Sequence, residues 1–355
     1  MKKLVNNILL FLLQKFAILF DITRLDIAFK QEPREENFKE KQRKVIAGVF
    51  ERISKAFWGE QEVPQFQPVS EMLEEFDTLL RNADYKSNGS DDLVTRFREW
   101  RKNSIQIKDE DLKDFFEKIL RELKEISKNE NWQKNGIFPE KIDALTIQLI
   151  HEPEKPYAGF SSYDKENNTL TISLGKNRYI TAAELTLLFA HEGLPGHALD
   201  SMIRHESTDK GILQKEENFH SVLGSPYTLT LEGIAHTLGK QLRDEDLERL
   251  QVTRQDIELV EHNIALVHRL RYEIMQAFLQ GGVDELKKVH ELFPGFSQPV
   301  IDGFIAGFRQ ALEKNNLLQL FYHFYYTLGI HKLRESEYNP ASVRLNLYQK
   351  QPEST

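Results

Sequence analysis

The sequence predicts a mainly α protein with a small β-sheet (α+β), and three observations carry that expectation. Through the first 140 residues Gly and Pro are scarce and apolar residues recur at helical spacing. Between Leu145 and Leu174 the period shortens to two. After Tyr179 the helical period returns and holds almost to the end, apart from a loop at Phe293-Pro294-Gly295 and an irregular tail past Tyr338.

The elements follow in order. Leu4 to Phe20 is an apolar run interrupted by Asn6, Asn7, Gln14 and Lys15, with no small-residue cleavage site after it, so it reads as an amphipathic helix and not as a signal or a span. Ser70 and Ser90 precede acids and are expected to cap helices whose positive ends those acids favour. Leu112, Phe115, Phe116, Ile119, Leu120, Leu123 and Ile126 form the clearest helical stripe. Two alternating runs, Leu145/Ile147/Leu149 and Leu170/Ile172/Leu174, then predict strands of one sheet within residues 144–175. Lys165-Glu166-Asn167-Asn168 is the expected turn into the second run, after Phe160 to Tyr163. A helical region 1–143 and a region 144–355, carrying the sheet, a motif helix and the C-terminal helices, are expected to form one compact unit. Nothing in the repeats or composition suggests a linker.

Composition removes several function classes. With 47 Lys+Arg against 55 Asp+Glu and a net charge of −8, the chain lacks the basic excess a nucleic-acid binder needs. It has no Cys, which excludes disulfide scaffolds, thiolate zinc sites and Cys nucleophiles. Any metal must sit on His and carboxylate.

Thr181-Ala182-Ala183-Glu184 has the pattern of a capping box and starts a helix through Leu185, Leu187, Leu188 and Phe189. That helix runs into His191-Glu192-Gly193-Leu194-Pro195-Gly196-His197, which invites comparison with the zinc motif H-E-x-x-H. The spacing differs. Six residues apart, His191 and His197 would project roughly 120° apart on an unbroken helix. Pro195 and Gly196 are expected to break the helix after Leu194 and return His197 toward His191. Downstream, Thr230-Leu231-Glu232-Gly233-Ile234-Ala235-His236 opens another helical pattern. Glu232 there would complete two His and one Glu with an open position for water. His236, four residues on, shares its helix face and is an alternative ligand or neighbour. Asp200 is a candidate outer partner for His197, with a solvated helix surface as the other reading.

His191, Glu192, Pro195, Gly196 and His197, then Glu232, Gly233 and Ala235, then Tyr326, Gly329, Leu333 and Arg334, resemble in order and rough spacing a large family of mostly uncharacterised proteins placed with the gluzincin-like zinc metallopeptidases. The resemblance covers roughly residues 145–335. It implies a gluzincin-like helical metallopeptidase body with one zinc ion on His191, His197 and Glu232, and Glu192 as general base. It also implies Tyr326 as an oxyanion donor, and that the strand nearest the metal pairs with an extended peptide substrate. Arg334, or Arg269 and Arg271, would bind a substrate carboxylate.

The function expected is therefore zinc-dependent hydrolysis of peptides in the cytoplasm, without nucleic acid or a membrane span. The alternatives are an inactive metal-binding or interaction protein of the same fold and a non-peptide amidase or esterase. Apart from these ligands, His205, His220, His262, His268, His290 and His331 read as surface or core residues. Substrate, cleavage position and oligomeric state are open.

Overall fold

The computed structural model describes residues 66–83, 92–128, 142–152, 154–155, 159–175, 181–209, 211, 226–314 and 327–330, with residues 40, 43–44, 46–48 and 51. The expected helix over Leu4 to Phe20 lies outside them, as do Ser90, His220, Tyr326, His331, Leu333 and Arg334. The described elements are helices with one small sheet, as the sequence predicts. The chain divides into two compact units: Met1–Leu73, His220–Leu229 and Ala265–Leu328 make one, and Glu74–Phe219, Thr230–Ile264 and Gly329–Thr355 the other. Each draws on residues from both sides of position 143.

α1 (Val69–Asn82), which belongs to the second unit from Glu74 on, and α2 (Leu93–Asn103) and α3 (Leu112–Ser127) of that unit bury apolar residues, α3 along the stripe read from the sequence. Asp92 caps α2, accepting from the backbone N–H of Val94 (3.3 Å) and Thr95 (3.2 Å). Ser70 is not a cap, because α1 already starts at Val69. Phe97 stacks on Trp100 and meets Phe76 at a tilt, and Phe116 of α3 meets Phe189 of the motif helix edge-on at 4.9 Å.

The sheet consists of β1 (Thr146–Glu152), β2 (Gly159–Asp164) and β3 (Thr169–Gly175) in the order β1-β3-β2. β1 runs parallel to β3 and β2 antiparallel to it, so β3 is central and carries the deepest residues, Leu170, Ile172 and Leu174. On β1 only every second residue from Ile147 to Leu149 is sheltered, the alternation of a strand with one wet face. The turn falls on Lys165–Asn168, where Asp164 Oδ1 accepts from the N–H of Glu166 (2.9 Å) and Asn167 (3.3 Å), and Asn168 takes a positive φ. Among the described residues β2 has no partner on its outer edge.

Then come α4 (Ala182–Glu192), α5 (His197–Asp209), α6 (Pro226–His236), α7 (Asp244–Leu250) and α8 (Arg254–Gly281). The capping box at the start of α4 is complete: Glu184 N–H donates to Thr181 Oγ1 (3.1 Å) and Thr181 N–H to Glu184 Oε2 (3.0 Å). Arg101 of α2 pairs with the same carboxylate at 2.8 Å, which joins the cap to the helices before it. Nearly every residue of α4 is buried, so the helix carries its terminal His-Glu pair on a rigid stem.

The first unit contains the remainder of α8 from Ala265, a short α9 (Val289–Leu292) and α10 (Gln298–Glu313). Phe278 packs edge-on against Phe308 at 5.4 Å, and Arg43 donates to the carbonyl of Leu279 at 2.8 Å.

Candidate metal centre

The centre forms where α4 stops. The helix ends at Glu192, two residues before the expected break, and the N–H of Gly193 closes it on the carbonyl of Phe189 at 2.9 Å. The chain turns through Leu194-Pro195, joined by a cis peptide bond, and α5 starts at His197. Gly196 fixes how tightly it turns. Its N–H donates to the carbonyl of Ala190 at 2.9 Å, and a Cβ there would lie 2.0 Å from the carbonyl oxygen of His191. No other residue fits that approach. As a result the rings of His191 and His197 meet edge-on with centroids 4.7 Å apart.

Glu232 reaches both from α6. One carboxylate oxygen lies 3.6 Å from His191 Nε2 and the other 3.4 Å from His197 Nε2. Glu192 Oε1 lies 4.0 Å from His191 Nε2. His236, one turn beyond Glu232, brings its ring within 4.4 Å of that of His191. Two overlapping groups, His191/Glu192/His197 and His191/Glu232/His236, hold their donor atoms within 4.8 Å and could bind a metal ion.

Charge is distributed unevenly. Burial, with His197 beside it, pushes the His191 imidazole below its ordinary value, so the ring stays neutral. Burial works against charge on His197 too, but the carboxylate of Glu232, with Glu192 and Asp200 behind it, outweighs that and raises His197 to about 9. Asp200 is buried on α5, three residues after His197.

No family model, curated protein or solved structure matches this chain. The site therefore rests on its own residues. The fit to a borderline divalent ion is good: two imidazoles, a carboxylate and a further acid converge from three helices, with no thiolate among them.

Two residues, one at this centre and one further along α5, escaped the sequence. Ser161 of β2 donates its hydroxyl to Glu192 Oε2 at 2.9 Å, which ties the edge strand to the acid. A serine in an alternating strand carries no motif, and only the sheet register reveals it. Arg204 is the other, on α5.

The remaining sequence candidates have identifiable surroundings. Arg269 donates to Glu273 (2.6 Å) and to the carbonyl of Gln67 (3.1 Å), with Phe66 and Tyr272 flanking its guanidinium, so its fork is engaged. Arg271 lies over the ring of Phe304. His262 pairs with Glu75 at 2.9 Å, His290 with Asp302 at 3.0 Å, and the carbonyl of His268 accepts from Thr327, all consistent with structural roles.

Two outcomes follow from this geometry. Gly196→Ala should cost roughly 3 kcal/mol of stability by overpacking and lower metal affinity with it, since the backbone must move away from His191; wild-type urea unfolding and metal affinity in that variant would contradict the packing described. A metal ion ligating His197 must displace the proton that this ring holds up to about 9, whereas His191 has none to lose at neutral pH. Calorimetric titration with a divalent transition-metal ion in buffers of different ionisation enthalpy near pH 7.5 should therefore show roughly one ligand proton released, with affinity rising toward pH 9. Affinity independent of pH across that range would contradict it.

Proposed function

We propose that this protein is a zinc-dependent hydrolase that cleaves peptides, with His191, His197 and Glu232 as ligands and Glu192 as general base. The observation that carries the proposal is the single Glu232 carboxylate facing both imidazoles across a break in the helix that bears the first of them. Packing alone gives no reason to gather two histidines and two glutamates at one buried point.

Zinc held there would supply a Lewis acid and a water acidic enough to attack at neutral pH. The protein's own residues would do the rest. Glu192 follows a ligand directly in sequence and projects on a different vector, so it is placed to take the proton of the attacking water and deliver it to the leaving amine. Ser161 holds one oxygen of that carboxylate, Oε2, and leaves Oε1 on the side of His191. Among the described residues the outer edge of the same strand is unpaired, and its backbone groups suit an extended peptide. Tyr326 enters as oxyanion donor by resemblance alone.

A second reading has one observation in its favour. His236 is near enough to His191 to serve as a ligand, and four protein ligands would close the site and make it structural. Turnover separates the two.

With a quenched-fluorescence peptide library, the purified protein should show hydrolysis that a chelator abolishes and zinc restores. Glu192→Gln should keep stoichiometric zinc and lose about 10³-fold in kcat, while His191→Ala should lose the metal. Stoichiometric zinc in both variants would remove the proposed ligand set, and zinc bound without turnover would leave the closed site.

A further inference from the structure

Arg204 lies on α5 seven residues after His197. Seven residues turn a helix through ~700° and advance it ~10 Å, so the two side chains leave the same face within ~20°. His197, Ser201, Arg204 and Thr208 are half-buried along it, as are His205 and Glu206 on other sides of the helix, while Ala198, Leu199, Met202 and Ile203 are buried. A half-covered polar stripe thus runs from the ligand down α5.

Among the described residues the guanidinium on this stripe pairs with no anion. Its Nε and Nη1 are shielded from solvent and make no hydrogen bond, and Nη2 makes one long contact with Ser201 Oγ at 3.4 Å. The other sheltered arginines differ: Arg96 pairs with Asp77, Arg101 with Glu184 and Arg269 with Glu273. Among the described residues no carboxylate comes within ion-pair distance of Arg204. A shielded, uncompensated charge destabilises a folded chain, and such costs concentrate where a ligand supplies the missing partner. A guanidinium fork is built for a carboxylate.

We infer that Arg204 anchors a carboxylate of the substrate, roughly three residues of extended peptide from the scissile bond, given ~3.3 Å per residue. The inference rests on the peptidase reading above and gives it a substrate class: peptides bearing an anion at that distance, as a free C-terminus or as an Asp or Glu side chain. In the second case the acidic residue lies inside a longer chain.

Binding tests it without requiring turnover. Three N-terminally fluorescein-labelled pentapeptides are compared by anisotropy on the zinc-loaded full chain: pentaalanine with a free C-terminus, its C-terminal amide, and the amide with Glu as last residue. The wild type should bind one of the two anionic probes about tenfold or more tightly than the neutral amide, and which one identifies the source of the carboxylate. Arg204→Met should abolish the preference and Arg204→Lys should weaken it, each with zinc content unchanged. Because Arg204→Met removes an uncompensated charge and keeps the apolar stem, its Tm should equal or exceed that of the wild type. Equal affinity for all three probes, no binding of any, an unaltered preference in Arg204→Met or a lowered Tm would each overturn the assignment. A wild type that discriminates between probes yet hydrolyses nothing would leave the anchor standing and remove the peptidase. One that hydrolyses without discriminating would do the reverse.

Discussion

The candidate metal centre depends on the missing side chain of Gly196. Two imidazoles six positions apart cannot meet on a continuous helix, and they meet here because the backbone folds back onto the last carbonyls of α4 at a distance no Cβ permits. The N–H of Gly196 is spent on the carbonyl of Ala190, so the reversal is held by a hydrogen bond as well as allowed by the absence of an atom. The rest of the centre is arranged around that point: Glu232 arrives on α6 between two rings already brought together, and Ser161 secures the neighbouring acid from the sheet.

Rigidity upstream is what makes so tight a reversal useful. α4 is held at its start by the reciprocal Thr181–Glu184 cap, buried on almost every side, and packed through Phe189 against α3. A site at the end of such a stem keeps its donors in place before any ion arrives. It does so against electrostatic opposition. Neutral His191 and protonated His197 lie beside the acids, so in the metal-free protein the cluster substitutes a proton for part of the charge a divalent ion would bring.

Much of this was legible in the sequence, for local reasons. The cap is a four-residue pattern, the strands declare themselves by period, and Pro195-Gly196 between two histidines announces a broken helix. The convergence of Glu232 was an expectation from the family resemblance and is seen as geometry. What stayed hidden is set by tertiary packing. Ser161 acquires its contact only through the register of β2 against β3, and Ser70 falls inside α1 because the helix begins one residue earlier than its cap signal. Arg204 had a weak signal, its seven-residue spacing from His197, but its lack of an acidic partner among the described residues is visible only in the folded chain. The change of period near residue 143 reads as a change of element type within one compact unit, and the division of the chain into two units, each with residues from both sides of that position, has no signal in the period.

The most direct measurement is anomalous diffraction at the zinc edge from crystals of the zinc-loaded full chain. The account predicts one peak within ~2.0–2.2 Å of His191, His197 and Glu232, with Glu192 facing the remaining position and not ligating. A peak held by His191, Glu232 and His236 with His197 turned away, or no peak at this cluster, would contradict it.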